Sequence, residues 1–461
     1  MKIEDLLPTR RELLRYGGLG ILGASAFASP LRANSTAKTK PRGSARNVIF
    51  FELAGALSHV DSFDFKENVS TRKDFDVRKA SNGIFVPYSL FPRMFNVMDK
   101  VAHVRSFISH EEVHLRGQYY VQAGRQLNVA FAPEIPSIGS VVASELESQR
   151  RATDTFPTYV SFNLTTNQVG ALSTGFLPPR HAVFDLNPDE ALAGMRLDQK
   201  ATELLEERWR LLSSLRTARS GRHEGLDKSI TGFEDFSTIA KHLLSDARWP
   251  NAFGIPDDDR KRYGNTSVGL SSILTRNLLQ QDGGTRYIHI CHDGWDHHKD
   301  IWTQNAPTNH FKQASQMDPA LASLIEDLAL SKSPIHPDKS LLDDTLVVCM
   351  GEFGRTPGPL NFQHGRDHHK ACFPAMFAGA GVKGGRVIGA SDADGAKCVD
   401  TGWQHSMQPR IENVVATIYS ALGIDWSKEV HKTPSGRSYV YVDPLGANGL
   451  IPTDELSNLY A

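Results

Sequence analysis

Between His292 and Asp300 the chain reads HDGWDHHKD, three histidines and three aspartates in nine residues, placed directly after the apolar run Tyr287 to Cys291. Imidazole and carboxylate side by side are donors that zinc, manganese and iron accept, whereas calcium takes oxygen alone. A second concentration lies at Gly365-Arg366-Asp367-His368-His369, and a third at Gly351-Glu352-Phe353-Gly354-Arg355, where an acid and a guanidinium stand between glycines. Nearer the N-terminus, Ser58-His59-Val60-Asp61 offers another imidazole and carboxylate. The candidate ligands are therefore His59, Asp61, Asp296, His298, Glu352, Asp367 and His368, enough for one or two divalent ions, zinc or manganese by donor type. Two ions a few ångströms apart can activate a nucleophile and neutralise charge on a phosphoryl or sulfuryl group in transfer. Arg355 is the natural fork for such a tetrahedral anion. The alternative for Arg355 is a bracing pair with Glu352 or Asp367.

These groups need elements that carry them to one place. Thr345 to Met350 is an unalternating apolar run of strand length, as expected of a strand covered on both faces of a parallel sheet. Asn47 to Leu53 has the same character, and Arg286 to Cys291 reads as a third strand. Each is followed at once by one of the polar clusters, and open α/β sheets place ligand sites at the carboxyl ends of their strands. Ala102 to Phe107 and Phe156 to Phe162 are further strand candidates, and Pro374 to Gly379 another. After Phe107 the chain is expected to turn helical, with His110 and His114 four apart on one face. Asp198 to Arg219, Val268 to Gln281, Met317 to Ala329 and Pro409 to Leu422 read as helices, and Gly436 to Val442 as a last edge strand. Strands alternate with helices and no change of composition divides the chain, so the expected fold is one doubly wound, mostly parallel α/β domain from residue 46 to residue 461.

The 461 residues include 51 Lys and Arg against 52 Asp and Glu, so no overall field points to nucleic acid or an anionic membrane surface. Thr9-Arg10-Arg11-Glu12-Leu13-Leu14 followed by the glycine-rich apolar stretch Tyr16 to Ala28 reads as a twin-arginine export signal over residues 1–28, with residues 29–45 as a linker. The expected destination is the periplasm or beyond, reached through the twin-arginine translocase, with no membrane-spanning helix in the mature chain. Of the four cysteines, Cys291 and Cys349 sit in apolar runs as small hydrophobes, and a Cys372 to Cys398 bridge is left open.

Taken together, the twin-arginine signal, SHVD at Ser58 to Asp61, GWDHH at Gly294 to His298, GEFGRTP at Gly351 to Pro357, GRDHH at Gly365 to His369 and ATIYSALGID at Ala416 to Asp425 resemble the exported proteins of the domain of unknown function 1501 family, related to alkaline phosphatases and sulfatases. The resemblance covers nearly the whole chain and implies an alkaline phosphatase-like fold. It implies that Asp61 is the first-strand metal aspartate, Glu352 the acid closing a later core strand, and His368 the last metal histidine. Met94 to Arg125 is similar to the segment whose nucleophile precedes a T-G-R, here Ala123-Gly124-Arg125, which puts His114 at or near the nucleophile position as nucleophile or ligand. Relatives carry Asp-His where this chain has Glu352-Phe353, so His59 or His114 is the available substitute imidazole. The functional expectation is a metal-dependent hydrolase of small-molecule or polysaccharide phosphate or sulfate esters. A non-catalytic protein binding anionic polysaccharide or a surface partner is the alternative.

Overall fold

In a computed structural model, the residues described are 40–194, 199–219, 240–446 and 449–461. The expected export signal and most of the expected linker lie outside them. The seven residues of β1 (Asn47–Leu53) are all buried. Val48 and Phe50 point into the core on one face while Ile49, Phe51 and Leu53 point into the core on the other. A strand buried on both faces has no polar side to alternate with, which is why its sequence is a continuous apolar run. Six further strands of the main sheet follow the same logic or sit at its margins: β2 (Val101–Phe107), β3 (Tyr159–Phe162), β4 (Phe184–Leu186), β5 (Tyr287–His292), β6 (Thr345–Met350) and β7 (Phe373–Ala378). With β8 (Arg386–Ile388), the sheet formed by the described residues has eight strands in the order β8-β2-β7-β6-β1-β5-β3-β4.

All neighbouring pairs are parallel except those made by β7, which runs antiparallel between β2 and β6. The expected doubly wound, mostly parallel α/β fold is thus present. Register matters for the site. Leu53 of β1 lies opposite His292 of β5, and Glu52 lies opposite Met350 of β6, so three strands end level with one another. Because β7 is antiparallel, its first residue Phe373 pairs with Phe107 at the end of β2. The segments after β1, β2, β5 and β6 and the segment before β7 therefore meet at one edge.

Helices cover both faces. On one, α3 (Ser267–Gln281) and α4 (His310–Leu330) pack Ile273, Leu274, Leu321 and Leu324 against the sheet. On the other, α1 (His114–Ala123), α2 (Ile138–Glu145) and α5 (Ile411–Ala421) contribute Tyr120, Val141, Val415 and Ile418. α4 starts earlier than the expected Met317, because Asn309 caps it by accepting the Lys312 N–H at 2.9 Å. α1 starts later than expected. Ile108 N–H is bonded to the Pro409 carbonyl and Ser109 N–H to that of Lys370, so the helix begins only at His114 and His110 does not share it.

The edge strand expected over Gly436 to Val442 is reduced to Tyr439–Val440, paired with Glu429–Val430 outside the main sheet. Arg42 to Ala45, at the end of the expected linker, are tied to the fold through Gly43 and Ala45 N–H bonds to Ser420 and Ala421 and an Arg42–Glu455 ion pair of 2.7 Å. All four cysteines are free, so Cys372 and Cys398 are not bridged. Among the described residues no helix is long and apolar enough to cross a membrane.

Candidate metal centre

Four side chains from three segments converge at the shared strand edge: His114 opening α1, Asp296 and His298 after β5, and His368 before β7. One ligand atom from each lies within 4.8 Å of the others. His114 Nε2 is 3.0 Å from Asp296 Oδ1 and His298 Nε2 is 3.2 Å from the same oxygen. His298 Nε2 and His368 Nε2 are 2.8 Å apart, and His368 Nε2 is 3.8 Å from Asp296 Oδ1. Four donors around one zinc-sized ion in a tetrahedron stand about 3.3 Å from each other, from metal to nitrogen bonds of about 2.0–2.1 Å. The observed edges bracket that value.

The partners behind the rings decide the tautomers. His114 Nδ1 faces Glu352 Oε1 at 2.7 Å, His298 Nδ1 faces Asp367 Oδ1 at 2.8 Å, and His368 Nδ1 faces the Glu112 carbonyl. Each partner is an acceptor, so each Nδ1 carries the hydrogen and each Nε2 directs its lone pair at the centre. Metal-ligating histidines are held in this way by carboxylates and backbone carbonyls. The contact between two such lone pairs, His298 and His368, is favourable only with a proton or cation between them. Burial alone would lower the His114 pKa, but its bonds to Asp296 and Glu352 outweigh that and raise it to about 9. Asp296 is half-buried, which would raise its carboxyl, yet His114, His368 and the Arg355 charge hold it far below the usual range. The donor set fits a divalent ion.

Two expected ligands are elsewhere. Asp61 accepts from Arg366 Nε at 2.5 Å and Nη2 at 3.1 Å and from Ser58 Oγ at 2.6 Å. It is 1% exposed and is the counter-charge that lets Arg366 lie buried; removing one partner of such a pair costs about 3–5 kcal/mol. His59 gives Nε2 to the Gly395 carbonyl at 2.8 Å and stacks on His369 at 6.0 Å, and burial lowers its pKa to about 4, so it is a neutral core residue.

Glu352 and Asp367, also expected as ligands, stand one step back from the centre, holding His114 and His298. Glu352 is fully buried and its Oε1 accepts the Gly55 N–H at 3.0 Å as well. Phe353, in place of a relative's imidazole, is an apolar wall with its ring 5.0 Å from that of His114 and 4.7 Å from that of His368.

Arg355 is 1% exposed and four of its five N–H donors meet acceptors within the protein. Nε gives to Ala56 O and Nη1 to Arg366 O, each at 3.1 Å, while Nη2 serves Gly55 O and Asp296 Oδ1, the latter at 2.6 Å. The expected fork for an anion instead fixes the Asp296 carboxylate and the turn after β1. Residue types gave no sign of two contributors. The Glu112 carbonyl is backbone and carries no signal, and Asn361, whose Nδ2 donates to Asp367 Oδ1 at 3.1 Å and His298 O at 3.0 Å, looks like any loop asparagine.

A mostly parallel, doubly wound α/β sheet thus carries at its carboxyl edge three oriented histidines and one aspartate, a group that could hold a metal ion. The profile of the family described as "Protein of unknown function (DUF1501)" matches residues 45–448, and the chain belongs to that family. No curated protein matches the sequence. Among solved structures it is similar to a protein of the alkaline phosphatase superfamily from Vibrio parahaemolyticus, with 12% identity, 84% of this chain and 69% of the other covered, and a TM-score of 0.35. It is also similar to the lipoteichoic acid synthase LtaP from Listeria monocytogenes, with 10% identity, 84% and 76% covered and a TM-score of 0.37. A phosphonate monoester hydrolase from Silicibacter pomeroyi aligns with 12% identity, 82% and 73% covered and a TM-score of 0.37.

Proposed function

We propose that the protein is an exported, metal-dependent hydrolase of phosphate or sulfate esters. The observation that carries the metal half is the convergence of three histidine Nε2 atoms on Asp296, each ring fixed from behind by its own acceptor. A zinc or manganese ion held by His114, Asp296, His298 and His368 would supply Lewis acidity toward an ester oxygen. The protein's own part is orientation. Glu352 and Asp367 keep hydrogens on Nδ1 of their histidines, and Arg355 holds Asp296 in place, its Nη2 lying 3.3 Å from His114 Nε2 as well.

The cluster itself consists of three imidazoles and one carboxylate, and this reading assigns each of them to the metal. Water is therefore the nucleophile in this reading, and His114, with both ring nitrogens engaged, serves as a ligand in preference to a nucleophile. Substrate would be a small or polymeric ester reached after export through the twin-arginine translocase.

A second reading draws on a specific observation: Arg355 and Arg366 are both buried and both bonded to internal acceptors, so neither offers an anion a free fork. A non-catalytic protein binding an anionic polysaccharide or surface partner at the same edge would need no such fork for a transition state. The deciding experiment assays aryl phosphate and aryl sulfate esters with protein purified after export, before and after chelation and with zinc or manganese restored. Turnover lost with chelator and regained with one ion supports the hydrolase. Full metal occupancy with no turnover on either ester class would favour the binding protein.

A further inference from the structure

The triplet Ala123-Gly124-Arg125 takes no part in the metal centre. α1 ends there. Gly124 adopts φ +68°, in the left-handed region that favours glycine, and a Cβ on it would stand 2.8 Å from a Val415 methyl. One end of the helix thus belongs to the histidine cluster through His114, and the other presents Arg125 roughly 15 Å away by the helical rise.

A cavity of about 360 Å³ opens at that far end. Two guanidinium groups line it, each laid on an aromatic ring: Arg125 with its central carbon 4.1 Å from the Tyr439 centroid, and Arg437 at 3.9 Å from that of Phe131. Stacking fixes the plane of each fork while leaving its edge donors available. Arg125 gives Nη2 to the Val440 carbonyl and reaches Asp443 only at 3.8 Å, while its buried Nε has no acceptor in the protein. The guanidinium of Arg437 meets no acceptor among the described residues.

Three acids share the lining, and the nearest approach to either guanidinium is that of Asp443, 3.8 Å from Arg125. Glu412, 3% exposed, has its carboxyl pushed up to about 7 by burial and takes the Tyr120 hydroxyl hydrogen. Glu134 accepts the Ser435 N–H at 3.3 Å, and Asp443 accepts the Leu445 N–H at 2.9 Å. Phe176, edge-on to Tyr439 at 5.0 Å, completes an aromatic wall. The volume lies in the range of small-molecule sites, which combine apolar walls with a few placed polar groups.

We infer that this cavity binds an acidic sugar, its ring against Phe131, Phe176 and Tyr439 and its carboxylate or sulfate between Arg125 and Arg437. The site is separate from the histidine cluster and independent of whether that cluster hydrolyses anything. Charge-assisted bonds to two oriented forks give the anionic group most of its affinity, and the ring supplies the preference for a sugar over a bare ion.

Titration calorimetry on the full chain with galacturonate, galactose 6-sulfate, galactose and inorganic sulfate tests it. Expected is binding of at least one acidic sugar about tenfold or more tighter than galactose and than sulfate, in line with charge-assisted recognition. The exposed substitution Arg437→Ala should remove that binding with metal content and melting temperature unchanged, and His298→Ala should leave it intact. Acidic sugars binding no better than galactose, or not at all, would overturn the inference. So would affinity that survives Arg437→Ala or disappears in His298→Ala. Inorganic sulfate binding as tightly as galactose 6-sulfate would reduce the cavity to an anion clamp and overturn the sugar assignment.

Discussion

Asp367 shows most directly how single residues make this centre, because it touches His298 and not the ligand position itself. It is largely exposed, so Asp367→Asn should leave the melting temperature of the metal-free protein unchanged while weakening metal affinity about 10–100-fold, the usual effect of losing such a support. Equilibrium dialysis against a competing chelator reads this, and unchanged affinity would show that His298 needs no support. His114 gives a second prediction. Its pKa in the metal-free fold is raised above the ordinary 6.5 to about 9, burial being outweighed by the bonds to Asp296 and Glu352. The stabilisation this brings is fully present below about pH 6.5 and is lost as pH rises through about 9. Burial lowers His59, His292 and His297 to about 4, 4 and 2, clear of that window, whereas Glu412, pushed up to about 7 by burial, adds a loss at its lower end that His114→Gln should leave unchanged. Chelated protein should therefore lose melting temperature between pH 6.5 and 9, and His114→Gln should flatten the decline; parallel curves for the two proteins would contradict the assignment. Asp296, His298 and His368 could be picked out in the sequence because their types cluster beside strands. Asp61 looked the same, and only its distance from Arg366 in the fold shows that it balances a buried guanidinium. Sequence cannot say which cation an acid will meet across 305 positions.

At the scale of elements, the position of His114 rests on how closely α1 lies against the turn after β6. Gly117 makes that approach possible: a Cβ there would stand 2.9 Å from Glu352 Cγ and 3.1 Å from the Phe353 ring. Gly117→Val should cost about 1–3 kcal/mol in denaturant unfolding, the range for overpacking a dense site, and should lower metal affinity because His114 moves with the helix. Loss of stability with metal affinity intact would uncouple α1 from the centre. Strands β1, β5 and β6 were legible because burial on both faces leaves an unbroken apolar run. The start of α1 was not, since His110 and His114 have helical spacing. What overrides it is tertiary: Ile108 and Ser109 give their N–H groups to Pro409 and Lys370, partners that local pattern does not reveal.

Among the described residues the register of the main sheet brings five chain segments to a common edge, four of them ligand-bearing or ligand-supporting. The alternation of strands and helices made that class of fold readable. The antiparallel turn of β7, which carries His368 to the edge, was not, because strand direction leaves no mark in an apolar run. For the chain as a whole we propose export by the twin-arginine route, and changing Arg10 and Arg11 together to Lys should retain precursor in the cytoplasm in a fractionation experiment; normal export of that variant would remove the localisation. In the proposed function His114, Asp296, His298 and His368 together hold one divalent ion. Elemental analysis joined to X-ray absorption at the metal edge, on protein purified after export, tests it most directly. Expected is about one ion per chain in a shell of three imidazole nitrogens and carboxylate oxygen at about 2.0–2.2 Å, lost in His298→Ala. Protein free of bound metal after incubation with zinc or manganese, or a fully occupied ion that survives His298→Ala with an unchanged shell, would contradict it.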